Sequence, residues 1–449
     1  MHHLIFLLVL ALGIGLFVWQ IRKIRRNIRL GGRKKISGDT AERVNKLLLV
    51  AFGQQKMFKR PWPAILHALV YVGFLVINLE VLEIIIDGLT GSHRALRFLG
   101  PVYDALMALN EVLALLVIVA CVIFLARRNI TRVPRLTRGP EMRAWPRLDA
   151  NIILVVEIVL MLALFAFNTA DLKLAALQGE ELAGRFPVSR LFLGLLGQDP
   201  ATLHLVRSAG WWMHIVGILA FLNYLPSSKH FHIIMAFPNV YYTRLEPKGK
   251  FSTNESITHE IKAMLDPAYQ VPASAEDAPP VKFGAKDVED LSWKQLMDAY
   301  TCTECGRCTD VCPANITGKL LSPRKIVMDT RDRMEEKGAH PAIFRPNHYR
   351  EQGEERVKTT GEETLLRGYI TPEELWACTT CNACVEACPV NIDQLSSIMD
   401  LRRYLVLEES AAPAALNAMF TNIENNGAPW AFSPSDRFNW ADNLFVKTR

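Results

Sequence analysis

The 449-residue chain lacks any apolar run of membrane-spanning length after Pro226, so a bilayer crossing is confined to the first half. The second half lacks a glycine-rich phosphate loop, a nucleophile elbow and any metal-binding pattern other than cysteine. Those absences set aside the usual signatures of nucleotide-dependent and hydrolytic catalysis. No output module is visible that would turn a redox signal into regulation, which disfavours a sensor. The amino terminus lacks the features of a cleavable leader: "MHHL" carries no Lys or Arg, the basic run comes after the apolar stretch, and "FVWQIRK" offers no small-residue cleavage site. The first apolar segment is therefore expected to be an uncleaved anchor. A nucleic-acid partner is also set aside. The formal charge of +6 is concentrated in stretches such as "RKIRRNIRLGGRKK", directly after an apolar run, where basic residues serve topology and contact with anionic lipid.

What is present is concentrated. Half of the residues are hydrophobic and 21% are charged, so the apolar ones must be segregated. Five windows of spanning length occur: Leu4 to Gln20, Pro61 to Ile86, Val102 to Ala126, Ile152 to Thr169 and Leu205 to Leu225. Segments 22–60 and 127–149 hold 13 and 7 Lys plus Arg, against 2 in 88–100 and 3 in 171–204. The positive-inside rule then places the N-terminus outside and everything after about residue 232 in the cytoplasm of a bacterial or archaeal cell.

Eight of the nine cysteines fall into two copies of C-x2-C-x2-C-x3-C-P, "CTECGRCTDVCPANI" at 302–316 and "CTTCNACVEACPVNI" at 378–392. In this run three thiolates wrap one 4Fe-4S cube and the fourth ligates the other. Cys302, Cys305, Cys308 and Cys388 are assigned to one cluster, and Cys378, Cys381, Cys384 and Cys312 to the second. Disulfides are disfavoured by a reducing compartment, and zinc sites by the run of four ending in proline. Cys121, inside the third span, is expected to be a core residue. A helix begins before each run, the second with Thr371 as N-cap and Pro372 at its first position. Between the runs, "RDRMEEKGAHPAIFRPNHYREQGEERVKTTGEET" is expected to form charged surface helix and loop.

Ionisable residues inside spans are functional candidates by default. His67 lies about two turns into the second span. His214 is near the middle of the fifth, and His230 and His232 follow Pro226. His214 and His232 are roughly 27 Å apart along a continuous helix, a separation that suits two haems better than one. His67 and His232 enter from the same side on different spans and can supply the two axial nitrogens of one b-type haem. His230 is read as interfacial. Glu80, Glu83 and Asp87 follow one another at helical spacing near the outer end of the second span, and Asn110 and Glu111 sit inside the third. Glu80 and Glu111 are the candidates for a quinone-linked proton path, and Glu83 and Asp87 are expected to be solvated at the interface.

The stretch "HIVGILAFLNYLPSSKHFH" resembles the last helix of the gamma subunit of respiratory nitrate reductase. That resemblance implies His214 and His232 as ligands of an outer and an inner haem b, with His67 as the partner of His232. It departs at Ile77, with Asn78 beside it, where the family carries the outer partner histidine. Either the outer haem is absent, or His214 takes its partner from elsewhere, such as His2, His3, His93 or His204. With the dicluster ferredoxin-like half, the whole resembles the membrane subunits of heterodisulfide-reductase-like and quinone-interacting oxidoreductase complexes. "NIENNGAPWAFSPSDRFNWADNL" looks like the segment that leads into cysteine-rich CCG domains in related one-chain proteins. The resemblance implies menaquinone or another quinone as redox partner, and a separate cysteine-rich subunit with a flavoprotein beyond; Pro429, Trp430, Phe432 and Trp440 either help dock that subunit or fold the tail back on its own domain.

The expected architecture is all-α: a five-helix transmembrane bundle over residues 1–232, a linker or arm over 233–290, and a mostly helical dicluster ferredoxin domain over 291–449. The expected function is electron transfer between quinone, haem b, two 4Fe-4S clusters and a cytoplasmic partner. The rival is a membrane-anchored ferredoxin without haem or quinone.

Overall fold

The computed structural model describes residues 2–270, 282–338 and 364–441. Five helices are long and apolar enough to cross a membrane: α1 (His2–Ile28), α2 (Pro61–Thr90), α3 (Pro101–Asn129), α4 (Trp145–Gln178) and α5 (Pro200–Tyr224). Proline opens four of them at the first or second position, where its missing N–H costs nothing. Asp199 caps α5, its side chain accepting from the Thr202 N–H at 2.9 Å. Gly91 and Gly179 close α2 and α4 in the left-handed conformation.

One face of α1 shows how the bundle meets lipid. Leu4, Leu8 and Leu12, one turn apart, are 67%, 70% and 63% exposed, whereas Phe6 is buried against Gly88 of α2. Small residues bring the helices together. A Cβ on Gly210 would stand 2.8 Å from the Phe167 backbone nitrogen, and one on Gly217 would stand 2.6 Å from a Leu160 methyl carbon. The α4–α5 pair is accordingly the most extensive in the bundle.

The basic end of the first span continues as helix to Ile28 and then meets protein. Arg26 donates to the Gly338 carbonyl at 3.0 Å and Asn27 to the Tyr300 hydroxyl at 2.9 Å. After α5 the chain makes two short turns and enters α6 (His232–Tyr241), which packs against α7 (Trp293–Thr301). Tyr242 and Trp293 meet edge to face at 5.3 Å, so the stretch expected as an arm opens with packed helix. Ser292 and Gln295 form a capping box that starts α7, and its last residue delivers Cys302. Thr371 caps the helix Pro372–Trp376 ahead of the second run in the same way.

The charged stretch after the first run departs from the expected surface helix. In α8 (Pro323–Lys337), Arg331, Asp332 and Arg333 are buried. Arg331 pairs with Glu304 at 2.6 Å and Arg333 with Asp287 at 2.6 Å. Hydropathy reads such residues as solvated, whereas partner charges from distant sequence let them be buried. The remainder of that insertion, 339–363, lies outside the described residues.

The chain separates into two compact units, Met1–Phe251 with Asp287–Ile398, and Ser252–Lys286 with Met399–Arg449. Everything above belongs to the first. Within the second, the Ala285 N–H donates to the Asp400 carbonyl at 2.9 Å and the Phe283 N–H to Glu408 at 2.7 Å. Its surface exposes Trp430, Phe432 and Trp440.

Gly210→Ala is expected to cost about 1–3 kcal/mol through forced separation of α4 and α5, read as a lowered unfolding midpoint in detergent. Gly194→Ala, where an added Cβ meets nothing within 4 Å, is expected to leave the midpoint unchanged.

Candidate functional site

The two cysteine runs fold alike. Glu304 and Thr380, each two residues after the first cysteine, have φ of 53° and 56°, and Gly306 and Asn382 have 70° and 59°. These left-handed residues curl each loop so that N–H groups face sulfur: Glu304 to Cys302 Sγ at 3.4 Å, Thr380 to Cys378 Sγ at 3.4 Å, and Ile392 to Cys388 Sγ at 3.3 Å. Gly306 is doubly constrained, since a Cβ there would also lie 2.5 Å from the Arg135 carbonyl oxygen.

All nine cysteines are free thiols. The Cys308 thiol feels the charges of Cys302, Cys305 and Cys388, while Cys384 feels those of Cys378 and Cys312. Cys308 thus has Cys388 of the other run nearby as well as Cys302 and Cys305, and Cys384 has Cys312 nearby as well as Cys378. Cys308 also feels Cys384, so the two sets adjoin. Burial pushes the Cys302 thiol up to about 11 and Cys388 to about 12, so iron has to displace protons from neutral thiols. Among the described residues no three such side chains converge on one ion. A cube places each thiolate on a separate iron, whereas a zinc site draws four sulfurs to about 2.3 Å from one centre.

His67 and His232 stand face to face beside the first run. Their ring centres are 6.3 Å apart and their planes 40° from parallel. Two imidazoles on opposite sides of one metal give roughly this spacing, about 2 Å per metal–nitrogen bond plus about 1.1 Å from each nitrogen to its ring centre. His67 Nδ1 is 3.0 Å from Gln54 Oε1, and His232 Nδ1 is 3.0 Å from the Lys229 carbonyl oxygen. With the proton on Nδ1, both pairings would leave Nε2 as the ring nitrogen able to ligate a metal. Gln54 reaches His67 from a left-handed residue just after the π-helical turn Leu47–Phe52.

The two rings line a cavity enclosing about 1300 Å³ of empty space, part of it open to solvent. Arg127, Arg128, Arg135 and Arg307 also line it, as does Cys305. Arg128 Nε and Nη2 are buried and lack a hydrogen-bond partner among the described residues. Unsatisfied buried guanidinium nitrogens call for an anion, and haem carries two propionates. These residues fit a b-type haem.

Those around His214 do not fit a second one. His214 Nδ1 is bonded to the Leu160 carbonyl at 2.8 Å and Nε2 is buried without a partner. His3 bonds the Gly88 carbonyl, His93 approaches Asp171 at 3.2 Å, and His204 lies beside Arg207. No second imidazole reaches His214 among the described side chains, a set that leaves out the His2 side chain. Ile77 fills the corresponding place with an apolar cluster that includes Leu160 and Leu164.

The outer acids are structural to different degrees. Glu83 and Asp87 are not simply solvated: Glu83 accepts from the Tyr103 hydroxyl and the Leu96 N–H, both at 2.9 Å. Asp87 caps the turn at Arg94 and Ala95. Glu111 accepts from the Val188 N–H at 2.8 Å, the Ser189 N–H at 3.1 Å and the Ser189 hydroxyl, which pins the segment at Val188 and Ser189 to α3. Glu80 receives Asn110 at 3.3 Å and lies 3.7 Å from Arg94, yet its Oε1 has no hydrogen-bond donor. Arg94 was missed from sequence. It is 3% exposed, pairs with Asp171 at 3.2 Å and lies between the rings of Phe167 and Phe186.

Glu304 was also missed. It sits between Cys302 and Cys305, takes Lys229 Nζ at 2.6 Å and Arg331 at 2.6 Å, and is 4% exposed. Lys229 in turn supplies the carbonyl that orients His232. Nearby, Arg135 donates to the Cys305 carbonyl at 2.6 Å. Burial pushes its guanidinium down to about 10 and the Lys56 ammonium down to about 8. Glu304→Ala is expected to be destabilising by about 1–3 kcal/mol, because Lys229 and Arg331 lose their 2.6 Å partner and keep only the longer contacts to Asp149 at 4.0 Å and Asp332 at 3.8 Å. Glu304→Gln is expected to raise the reduction potential of the adjoining cluster while leaving the other near its wild-type value, read by redox titration with EPR detection.

Residues 301–392 match the family model described as a 4Fe-4S dicluster domain. Over 98% of its length the chain is 32% identical to the probable iron-sulfur-binding oxidoreductase FadF of Bacillus subtilis, covering 60% of that protein. Over 96% it is 26% identical to the EtfAB:quinone oxidoreductase of Syntrophomonas wolfei, covering 57% of it. The chain thus spans about three fifths of the length of these two relatives. It is 37% identical to a probable membrane-anchored ferredoxin of Chromohalobacter salexigens, over 37% of this chain and 25% of that one. Subunits of heterodisulfide reductases match over shorter stretches. No solved structure matches it significantly. The chain is a membrane protein with an iron-sulfur domain for two 4Fe-4S clusters, similar to electron-transferring oxidoreductases.

Proposed function

We propose that the chain carries electrons between a quinone of the bilayer, menaquinone by resemblance, and a cytoplasmic heterodisulfide-reductase-like partner. Haem b and the two cubes, when bound, supply the one-electron carriers. The observation that supports this most is the facing pair His67 and His232, 6.3 Å apart in a cavity that Cys305 also lines. Residues at the membrane edge and residues of the first cysteine run thereby share one wall.

Each part of the chain has a task in this reading. His67 and His232 hold the haem between Nε2 atoms oriented by Gln54 and Lys229, while the arginines of the cavity receive its propionates. Cys302, Cys305, Cys308 and Cys388 hold the nearer cluster, and Cys312, Cys378, Cys381 and Cys384 the farther one. Cys381 is the most exposed of the eight, which suits an exit to a partner. Glu111 anchors a loop, and Glu80 is the outer candidate for proton exchange, about 20 Å along α2 from His67. The basic loops support an outside N-terminus and a cytoplasmic iron-sulfur domain in a bacterial or archaeal inner membrane. Functional segments at 1–232, 233–290 and 291–449 follow from the same reading. Exposed Trp430, Phe432 and Trp440 support docking of a cysteine-rich subunit, with a flavoprotein beyond it.

The second reading, an anchored ferredoxin without haem or quinone, is favoured by the similarity to the probable membrane-anchored ferredoxin of Chromohalobacter salexigens. His67→Ala separates the two. The proposal expects the variant to lose haem from the purified protein while keeping about eight non-haem irons. Full haem retention in the variant contradicts the ligand assignment.

A further inference from the structure

Glu157, in the middle of the apolar stretch "ILVVEIVLML" of α4, has no place in the account so far. A carboxyl inside a span is costly unless it does something. Its Oε1 lies 4.0 Å from His230 Nε2, and the two side chains are 14% and 15% exposed. Neither makes a side-chain hydrogen bond to another described residue. Glu80 differs, being 1% exposed and enclosed by Arg94 and Asn110. The Glu157–His230 pair is therefore open at the edge of the bundle, whereas the outer acids are sealed inside it.

The surroundings are flat and aromatic. The His230 ring lies 5.5 Å from Phe221, which stacks on Tyr224 at 6.2 Å with planes 18° apart. On its other side His230 stands 5.5 Å from His232, nearly perpendicular to it. His230 also lines the cavity of His67 and His232. An oxygen placed about 2.8 Å from both Nε2 and Oε1 subtends roughly 90° between them, an angle a hydroxyl can serve as acceptor from one and donor to the other.

We propose that Glu157 and His230 bind the head group of the quinone, in the half of the membrane that adjoins the cysteine runs. This rests on the proposed haem at His67 and His232 for its electron acceptor. A quinol loses two hydroxyl protons and two electrons to become a quinone. Each proton passes from a quinol oxygen, positioned against the His230 ring, to the Glu157 carboxylate and from there to water through the open cavity. The two electrons leave singly, and a haem held by His67 and His232 would supply the one-electron acceptor for each, with the adjoining cluster as its outlet. Quinone reduction runs the same steps backwards. Protons and electrons then use the same side of the membrane, so turnover moves no charge across it.

The test uses the full chain with its cofactors in nanodiscs. Haem reduction by menadiol, followed by absorbance, is expected to slow at least about tenfold in Glu157→Gln, the scale of a lost proton acceptor. Haem content and reduction by dithionite are expected to be unchanged in Glu157→Gln. An azido-naphthoquinone photolabel is expected on peptides containing Glu157 or His230. Wild-type menadiol kinetics in Glu157→Gln, labelling near Glu80 instead, or no labelling at all overturns the site. Haem absent from the wild-type protein with label at Glu157 or His230 refutes the haem reading and leaves the site standing.

Discussion

Glu304 joins the membrane half of this chain to its iron-sulfur half. It is held between two cysteines of the first run, paired on one side with Arg331 of α8 and on the other with Lys229, three residues before His232. Electron transfer through protein needs carriers at short and fixed spacing, and a flexible hinge between bundle and cluster loops would not provide it. The same boundary carries other buried polar contacts. Arg324 pairs with Glu141 at 2.8 Å and donates to the Arg135 and Arg138 carbonyls, while Arg135 holds the Cys305 carbonyl. Buried pairs of this kind add little net stability over apolar packing, but losing one partner is expensive, so they fix geometry.

Within the bundle the two halves have different chemistry. Toward the cysteine runs, histidines, arginines and a cavity gather around His67 and His232. Toward the other side, Arg94 organises Glu80, Asn168 and Asp171 into a sealed network, and close α4–α5 packing surrounds His214. The contrast explains why, of the two haem sites that the histidine spacing suggests, the described residues fit the group at one and not at the other. His214 spends Nδ1 on the Leu160 carbonyl and finds Ile77 where a second imidazole is needed.

The legible parts of the sequence were those where local pattern equals structure. Five apolar windows became five helices because length and hydropathy suffice for a span. The cysteine runs prescribe their own loops, and His67 and His232 stood out because imidazole is rare inside a membrane. What stayed hidden depends on partners far away in sequence. Arg331 and Arg333 look like surface charges until Glu304 and Asp287 come beside them, and Arg94 looks like an ordinary loop residue until α3 and α4 close round it. Glu157 carried a signal, an acid within an apolar run, as plain as those of Glu80 and Glu111. His230 follows Pro226 at the end of a different span, where a histidine reads as interfacial, so the sequence alone does not bring the two together.

The central claim is that one haem and two cubes share this chain, and it is tested most directly by measuring pyridine haemochrome and iron on one detergent-purified sample. The account predicts about one haem b and about eight non-haem irons per chain. Eight irons with no haem would contradict it, leaving an anchored ferredoxin and removing the quinone from the mechanism.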